Sequence, residues 1–239
     1  MNSSTPNGLT RKTLNEIIFF SHVLICLAIV LIGLRWGKAA LRNIIVLNAL
    51  FANVFVIKQI ELFGLTVTAS DVYAVGCMLG LNLLQEFHGR GEARKTIKIT
   101  FFALSFFVLT SQLHLAYLPS VFDVAQSSYH LIFSHAPRIL LSSMLCFYLI
   151  SRMDVLWFGV LKKYFQGKYL GLRIFVSLIF SQLLDTILFS YAALYGILES
   201  IWDVILVAFI IKVAIIALTS PLSTFSKKFV RDESEPVSV

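Results

Sequence analysis

Charge is what this chain has least of. Asp, Glu, Lys and Arg make up 14% of its 239 residues, while 58% are hydrophobic; a soluble domain carries about a quarter charged residues. So little polar material cannot cover a water-soluble globule, and a soluble domain is excluded. Cysteine is scarce too. Cys26, Cys77 and Cys146 sit in apolar segments without metal-ligand spacing, and an odd number completes no disulfide framework, so they read as small buried hydrophobes. Catalytic signatures are missing: there is no HExxH, GxSxG, Walker A or Rossmann glycine pattern, and His22, His88, His114, His130 and His135 show no paired spacing. No catalytic residue, metal site or cofactor can be named, the chain has no ATPase of its own, and it reads as a non-enzyme. Low-complexity segments and long polar loops are absent as well, which leaves one domain.

What the sequence has instead is apolar runs of spanning length, roughly 20 residues each. They fall at Ile17–Leu34, Asn43–Phe63, Ala69–Phe87, Ile97–Leu118, Pro137–Phe158, Gly171–Leu198 and Trp202–Thr219. The expected fold is all-α: a polytopic transmembrane helix bundle of six to seven spans, six if Ile17–Leu34 does not cross. Gly76 and Gly80 make the third run the weakest as an unbroken helix. Residues 1–16 read as a polar tail, 17–224 as the membrane domain and 225–239 as a disordered cytoplasmic tail. No small-residue cleavage site follows Leu34, so the first run resembles a signal peptide only loosely. The net charge of +7 does not point to nucleic acid, because Lys and Arg alternate along the chain. They cluster at 35–42, 88–98, 152–173 and 227–231 and are missing from 64–68, 119–136 and 199–201. Basic loops stay in the cytoplasm, so the C-terminus is expected there.

Against that background the polar residues inside the runs stand out. A charge at the centre of a membrane helix costs about 2.5–3.5 kcal/mol and by default marks a site. Asp185 lies in the middle of its run, with Gln182 one turn earlier, in the stripe Ser181-Gln182-Leu183-Leu184-Asp185-Thr186. That stripe serves either a polar site or helix–helix hydrogen bonding. Lys212 is central in the last run, and Asp185 is its available partner; pairing with Asp185 and direct substrate contact are both open. Asn82 and Glu86 share a helix face just ahead of Arg90, Arg94, Lys95 and Lys98. There a polar-bearing helix reaches the cytoplasm, and Glu86 is either a site residue or a solvated boundary carboxylate. Asn53, Lys58 (with Glu61 one turn on) and Arg138 (after Pro137) complete the set.

Five of these features, in order, resemble the queuosine precursor transporter family, small bacterial membrane proteins also described as vitamin uptake transporters. Asn53 and Lys58 match an Asn and a Lys about five residues on. Asn82, Glu86, Gly89, Ala93 and Arg94 match D-x-x-x-E-x-x-G-x-x-x-A-R, with Asn82 in place of the usual Asp. Arg138 matches an Arg that opens a later helix. Ser181, Gln182, Asp185 and Thr186 match S-Q/N-x-x-D-T, and Lys212 and Pro221 match a Lys and a Pro of the last helix. The likeness covers about 43–224; the family has six spans, so Ile17–Leu34 looks like an addition.

The resemblance implies import of a 7-deazaguanine base (queuine, preQ0 or preQ1) across the bacterial inner membrane. The substrate-binding residues it implies are Asn53, Lys58, Asn82, Glu86, Arg138, Gln182, Asp185 and Lys212. The expected partners are the base and the lipid bilayer, and a homo-oligomer is compatible. A flat base with N–H donors suits a carboxylate such as Asp185 or Glu86. Two other classes remain: a substrate-binding membrane subunit of an energy-coupling-factor-like vitamin transporter, and a structural membrane protein whose polar interior only pairs helices.

Overall fold

A backbone surrounded by lipid must satisfy its own hydrogen bonds, and a helix does so within one segment. The computed structural model describes residues 6–56, 58–133, 137–194, 201–223 and 226, with side chains described except at 6–13, 65–66, 137–140, 194, 201, 203–204 and 222–223. Its helices are α1 (Pro6–Arg35), α2 (Lys38–Val54), α3 (Asp71–His88), α4 (Arg90–Leu115), α5 (Gln126–Phe133), α6 (Pro137–Tyr164), α7 (Leu170–Phe189) and α8 (Ile201–Ser223). A π-turn at Ser190–Leu194 extends α7, and two short strands, β1 (Gln59–Leu62) and β2 (Leu65–Thr68), lie between α2 and α3.

Those strands correct the expected span Asn43–Phe63. The helix stops at Val54, and the chain turns into an antiparallel hairpin that pairs Leu62 with Leu65. Phe63 and Gly64 form its two-residue turn with φ of 52° and 81°, the paired positive values whose twist matches that of the strands. The cause lies in the residues. Gln59-Ile60-Glu61-Leu62 and Leu65-Thr66-Val67-Thr68 alternate with a period of two, which suits a strand and not a helix face. Leu62 and Val67 are buried by this alternation. Lys58 and Glu61 are therefore not a helical pair one turn apart.

Several loops shrink. The expected loop 88–98 reduces to Gly89, at φ 89° between α3 and α4, and Arg90, Arg94, Lys95 and Lys98 occupy the first turns of α4. The expected loop 152–173 reduces to 165–169, because α6 runs on to Tyr164 and α7 starts at Leu170. From Pro6 onward the expected polar tail is the start of α1, and residues 1–5 lie outside the described residues. The tail 225–239 also lies outside them, Ser226 excepted.

α3 is unbroken despite its glycines and is the centre of the molecule, touching α1, α2, α4, α6, α7 and α8. The glycines permit this. A Cβ on Gly76 would lie 2.6 Å from Cys26 Sγ, and one on Gly80 would lie 2.7 Å from Ile45 Cγ1. Hydrogen at those positions lets α1 and α2 lie directly against α3. Polarity is inverted relative to a soluble fold. Buried α3 carries Asp71, Asn82 and Gln85, while Phe102, Phe106, Leu109 and Leu113 form an exposed apolar stripe on α4. By length and apolarity four helices can cross a membrane: Leu14–Arg35, Arg90–Leu115, Leu141–Tyr164 and Leu170–Ala193. The protein is a multi-pass helical membrane protein, with four spans counted by that criterion where six to seven are expected from the apolar runs. α3 is long enough but not apolar enough to be counted, because Asp71, Asn82, Gln85, Glu86 and His88 fall within its 18 residues.

Candidate functional site

Two ion clusters mark the ends of α3. At the start of α3, Lys212 Nζ from α8 donates to Asp185 Oδ2 of α7 at 3.0 Å and to Thr186 Oγ1 at 3.1 Å. It also lies 3.7 Å from Asp71 Oδ1. The Lys212 side chain is 6% exposed and that of Asp185 21%, so two carboxylates share one ammonium at a partly sheltered point. Asp71 opens α3, where the positive end of the helix dipole favours a carboxylate. Asp185 lies in the last turn and a half of α7 rather than at its middle, because α7 ends at Phe189.

At the other end of α3, Glu86 takes both guanidinium nitrogens of Arg173, at 2.9 and 2.8 Å. Lys162 Nζ approaches the same carboxylate at 3.1 Å. Arg173 is fully buried. Its Nε–H donates to Lys168 O at 2.9 Å, and its guanidinium carbon sits 5.3 Å from the Phe158 ring centroid. A planar fork with five donors is the group that can hold a bidentate carboxylate and backbone carbonyls at once. Nearby, Gln85 donates to Val155 O at 2.9 Å and Arg90 to Leu156 O at 3.2 Å, tying α3 and α4 to α6.

Between the clusters the polar groups are of another kind. Asn82 is 0% and Gln182 1% exposed, and neither amide, nitrogen or oxygen, has a hydrogen-bond partner. Leaving such a group unsatisfied costs about 1–3 kcal/mol, so the interior here lacks donors and acceptors that a solute can bring. Asp71, Met78, Asn82 and Gln85 follow one another at helical spacing on one stripe of α3. On α6, Asp154 is also fully buried. Ser177 and Ser181 of α7 both donate to its Oδ1, at 2.7 and 2.6 Å.

The remaining expected site residues fall elsewhere. Asn53, in the last turn of α2, donates to Ala49 O at 2.9 Å and accepts from Ser143 at 2.6 Å, so it joins α2 to α6. Lys58 is exposed after α2. Arg138 lies in the first turn of α6, with its side chain outside those described. Sequence reasoning missed Asp71, Asp154 and Arg173. Asp71 follows Ser70 at a helix start, where Asp is commonplace, and Asp154 and Arg173 fell in what read as a basic loop. The four-residue spacing of Ser177 and Ser181 is the one signal that pointed toward a partner such as Asp154. Among the described residues no group of three or more His, Cys, Asp or Glu could hold a metal ion.

The family described as "Putative vitamin uptake transporter" matches residues 68–225. A protein of Bacillus subtilis (strain 168) described as "Probable queuosine precursor transporter" is 30% identical over 222 residues, covering 92% of this chain and 97% of the relative. No solved structure matches.

Proposed function

This chain belongs to the vitamin uptake transporter family, a family of transporters and not enzymes, and from that premise we propose that it imports a queuosine precursor. The substrate is a 7-deazaguanine base (queuine, preQ0 or preQ1), taken across the bacterial inner membrane into the cytoplasm. The observation that supports this reading is the pair of fully buried, unpartnered amides at Asn82 and Gln182. A deazaguanine offers N–H donors and a carbonyl acceptor on one flat ring, the complement of two amides. Selectivity follows, because a base lacking those groups leaves the amides unsatisfied. Asp185 and Lys212 line one end of this region and Glu86 the other. Exposed Lys58 would meet substrate only on entry, and both polar atoms of Asn53 are already engaged.

Reconstituting the protein alone in liposomes tests this. We expect saturable uptake of at least one labelled base, competed by the other two and not by adenine, which lacks the ring N–H, the 2-amino group and the carbonyl. Uptake that needs added ATPase subunits would instead support the energy-coupling-factor-like reading. Failure to bind any of the three bases would leave only a structural role.

We also propose that the C-terminus and the three basic junctions are cytoplasmic. The contacts support one shared end for the junctions: Arg42 pairs with Glu92, and Lys162 and Arg173 with Glu86. Single cysteines at 90, 162 and 123, labelled by an impermeant maleimide on intact cells, are expected to react at 123 only. Reaction at 90 or 162 with none at 123 reverses the orientation.

A further inference from the structure

The carboxylates inside the bundle are not equivalent. Asp71 and Asp185 share Lys212, although Asp71 Oδ2 also lacks a hydrogen-bond partner, and Glu86 has Arg173 and Lys162. Asp154 has no cation among the described residues. Its Oδ1 receives two serine hydroxyls, and its Oδ2 has no partner at all. A fully buried carboxylate oxygen with no partner is costly, and its retention calls for a polar group that arrives from outside the chain.

Its neighbours can be placed from contacts on either side. Ser151 of α6 reaches Met78 Sδ at 3.8 Å, and Val155 O accepts from Gln85. Asn82 lies between Met78 and Gln85 on α3, and Asp154 lies between Ser151 and Val155 on α6. The two residues are therefore at one level of the bundle. Gln182 follows Ser181, which is itself bonded to Asp154. Three helices thus bring to one level the Asn82 amide, the Gln182 amide and Asp154 Oδ2, all buried and all unpartnered.

We infer that Asp154 is the acceptor for the donor edge of the transported base, meaning its ring N1–H and exocyclic 2-amino group, and that it sets selectivity for 2-amino-oxo heterocycles. This inference rests on the transport reading above and assigns the donor edge to Asp154 in place of Asp185 or Glu86. An ionised carboxylate only accepts, whereas the two amides both donate and accept and are left to take the base carbonyl and remaining N–H groups. An adenine-type edge would set a ring nitrogen lone pair against the carboxylate and is rejected. The serines fix the geometry: with Oδ1 held from two successive turns of α7, Oδ2 has one orientation.

Binding to the purified full-length protein in nanodiscs tests the inference. The probes are whichever of preQ0, preQ1 and queuine the wild type binds most tightly, and its 2-desamino counterpart. The wild type is expected to bind the desamino base about ten- to a hundred-fold more weakly, the range for losing a hydrogen bond to a charged group. Asp154→Asn is expected to weaken the amino base by a similar factor while changing the desamino base little, so that the preference collapses. Asp154→Glu, which keeps the charge and moves the carboxylate by one methylene, replaces it if Asp154→Asn does not accumulate, and it should narrow the preference in the same direction. A merely structural aspartate lowers abundance or weakens both bases equally. A wild-type ratio near one, or a preference unchanged in the variant, overturns the inference and leaves the transport reading standing. No binding of any base overturns both.

Discussion

Lys212→Met strips the protein from the membrane fraction, and adding Asp71→Asn and Asp185→Asn brings it back. That result is expected from the arrangement around one ammonium. Lys212 is buried, with Asp185 at 3.0 Å and Asp71 at 3.7 Å. Removing the cation leaves two carboxylates facing each other with only Asp185 partly open to water, and breaking a buried pair by deleting one partner costs about 3–5 kcal/mol. Total stabilities are of similar size. Replacing the whole group by neutral residues of similar shape is far less costly, because no charge is then stranded. Asp185→Asn alone should be milder for abundance, since Lys212 keeps Asp71 and Thr186. For the same reason Asp185→Asn with Lys212→Met should recover only in part, because Asp71 stays unpaired. Abundance by fluorescence-detected size exclusion checks the series. Wild-type levels for Lys212→Met would mean that the cluster contributes nothing to the fold.

The second large effect is expected at Arg173. Arg173→Lys keeps the charge and still lowers thermal stability by about 3 kcal/mol, because a lysine cannot reproduce a bidentate fork on Glu86 together with the carbonyl contact at Lys168. Lys162→Met, at the same carboxylate but 42% exposed on its side chain, is expected to cost no more than about 1 kcal/mol, since water screens the pair. Thermal melts in detergent compare the two. Equal losses, or no loss for Arg173→Lys, would remove the distinction between the buried and the exposed cation.

Much of the bundle is legible in the apolar runs, because the helix periodicity and the scarcity of charge leave no other way to fold them. What the runs hide is where a helix stops. Val54 is followed by more apolar residues, so the end of α2 is invisible to hydropathy and shows only in the two-residue alternation after it. The basic residues between α6 and α7 mislead in the opposite direction. Lys and Arg mark cytoplasmic loops on average, yet Arg173 is fully buried because a specific carboxylate, Glu86, comes from a helix far away in sequence. Asp154 was obscured by the same basic stretch. Asp185, Gln182 and Lys212 stood out because polar groups in the middle of an apolar run have few neutral explanations, and Asn82 stood out through the helix face it shares with Glu86 near the end of its run. Which of them is satisfied by protein and which is not depends on side chains from other helices, and spacing along one helix carries no such information.

α3 is also a mechanical element. Its first residue is tethered to α8 and its last turn to α7, and Glu86 comes 15 residues after Asp71, a rise of about 22 Å at 1.5 Å per residue. It behaves as a strut latched at both ends by separate catches. No side chain reaches from one catch to the other, so either can release while its counterpart keeps the strut in register. Sliding α3 along its axis by a single turn would undo both together. Tilting it about one latched end undoes only the other.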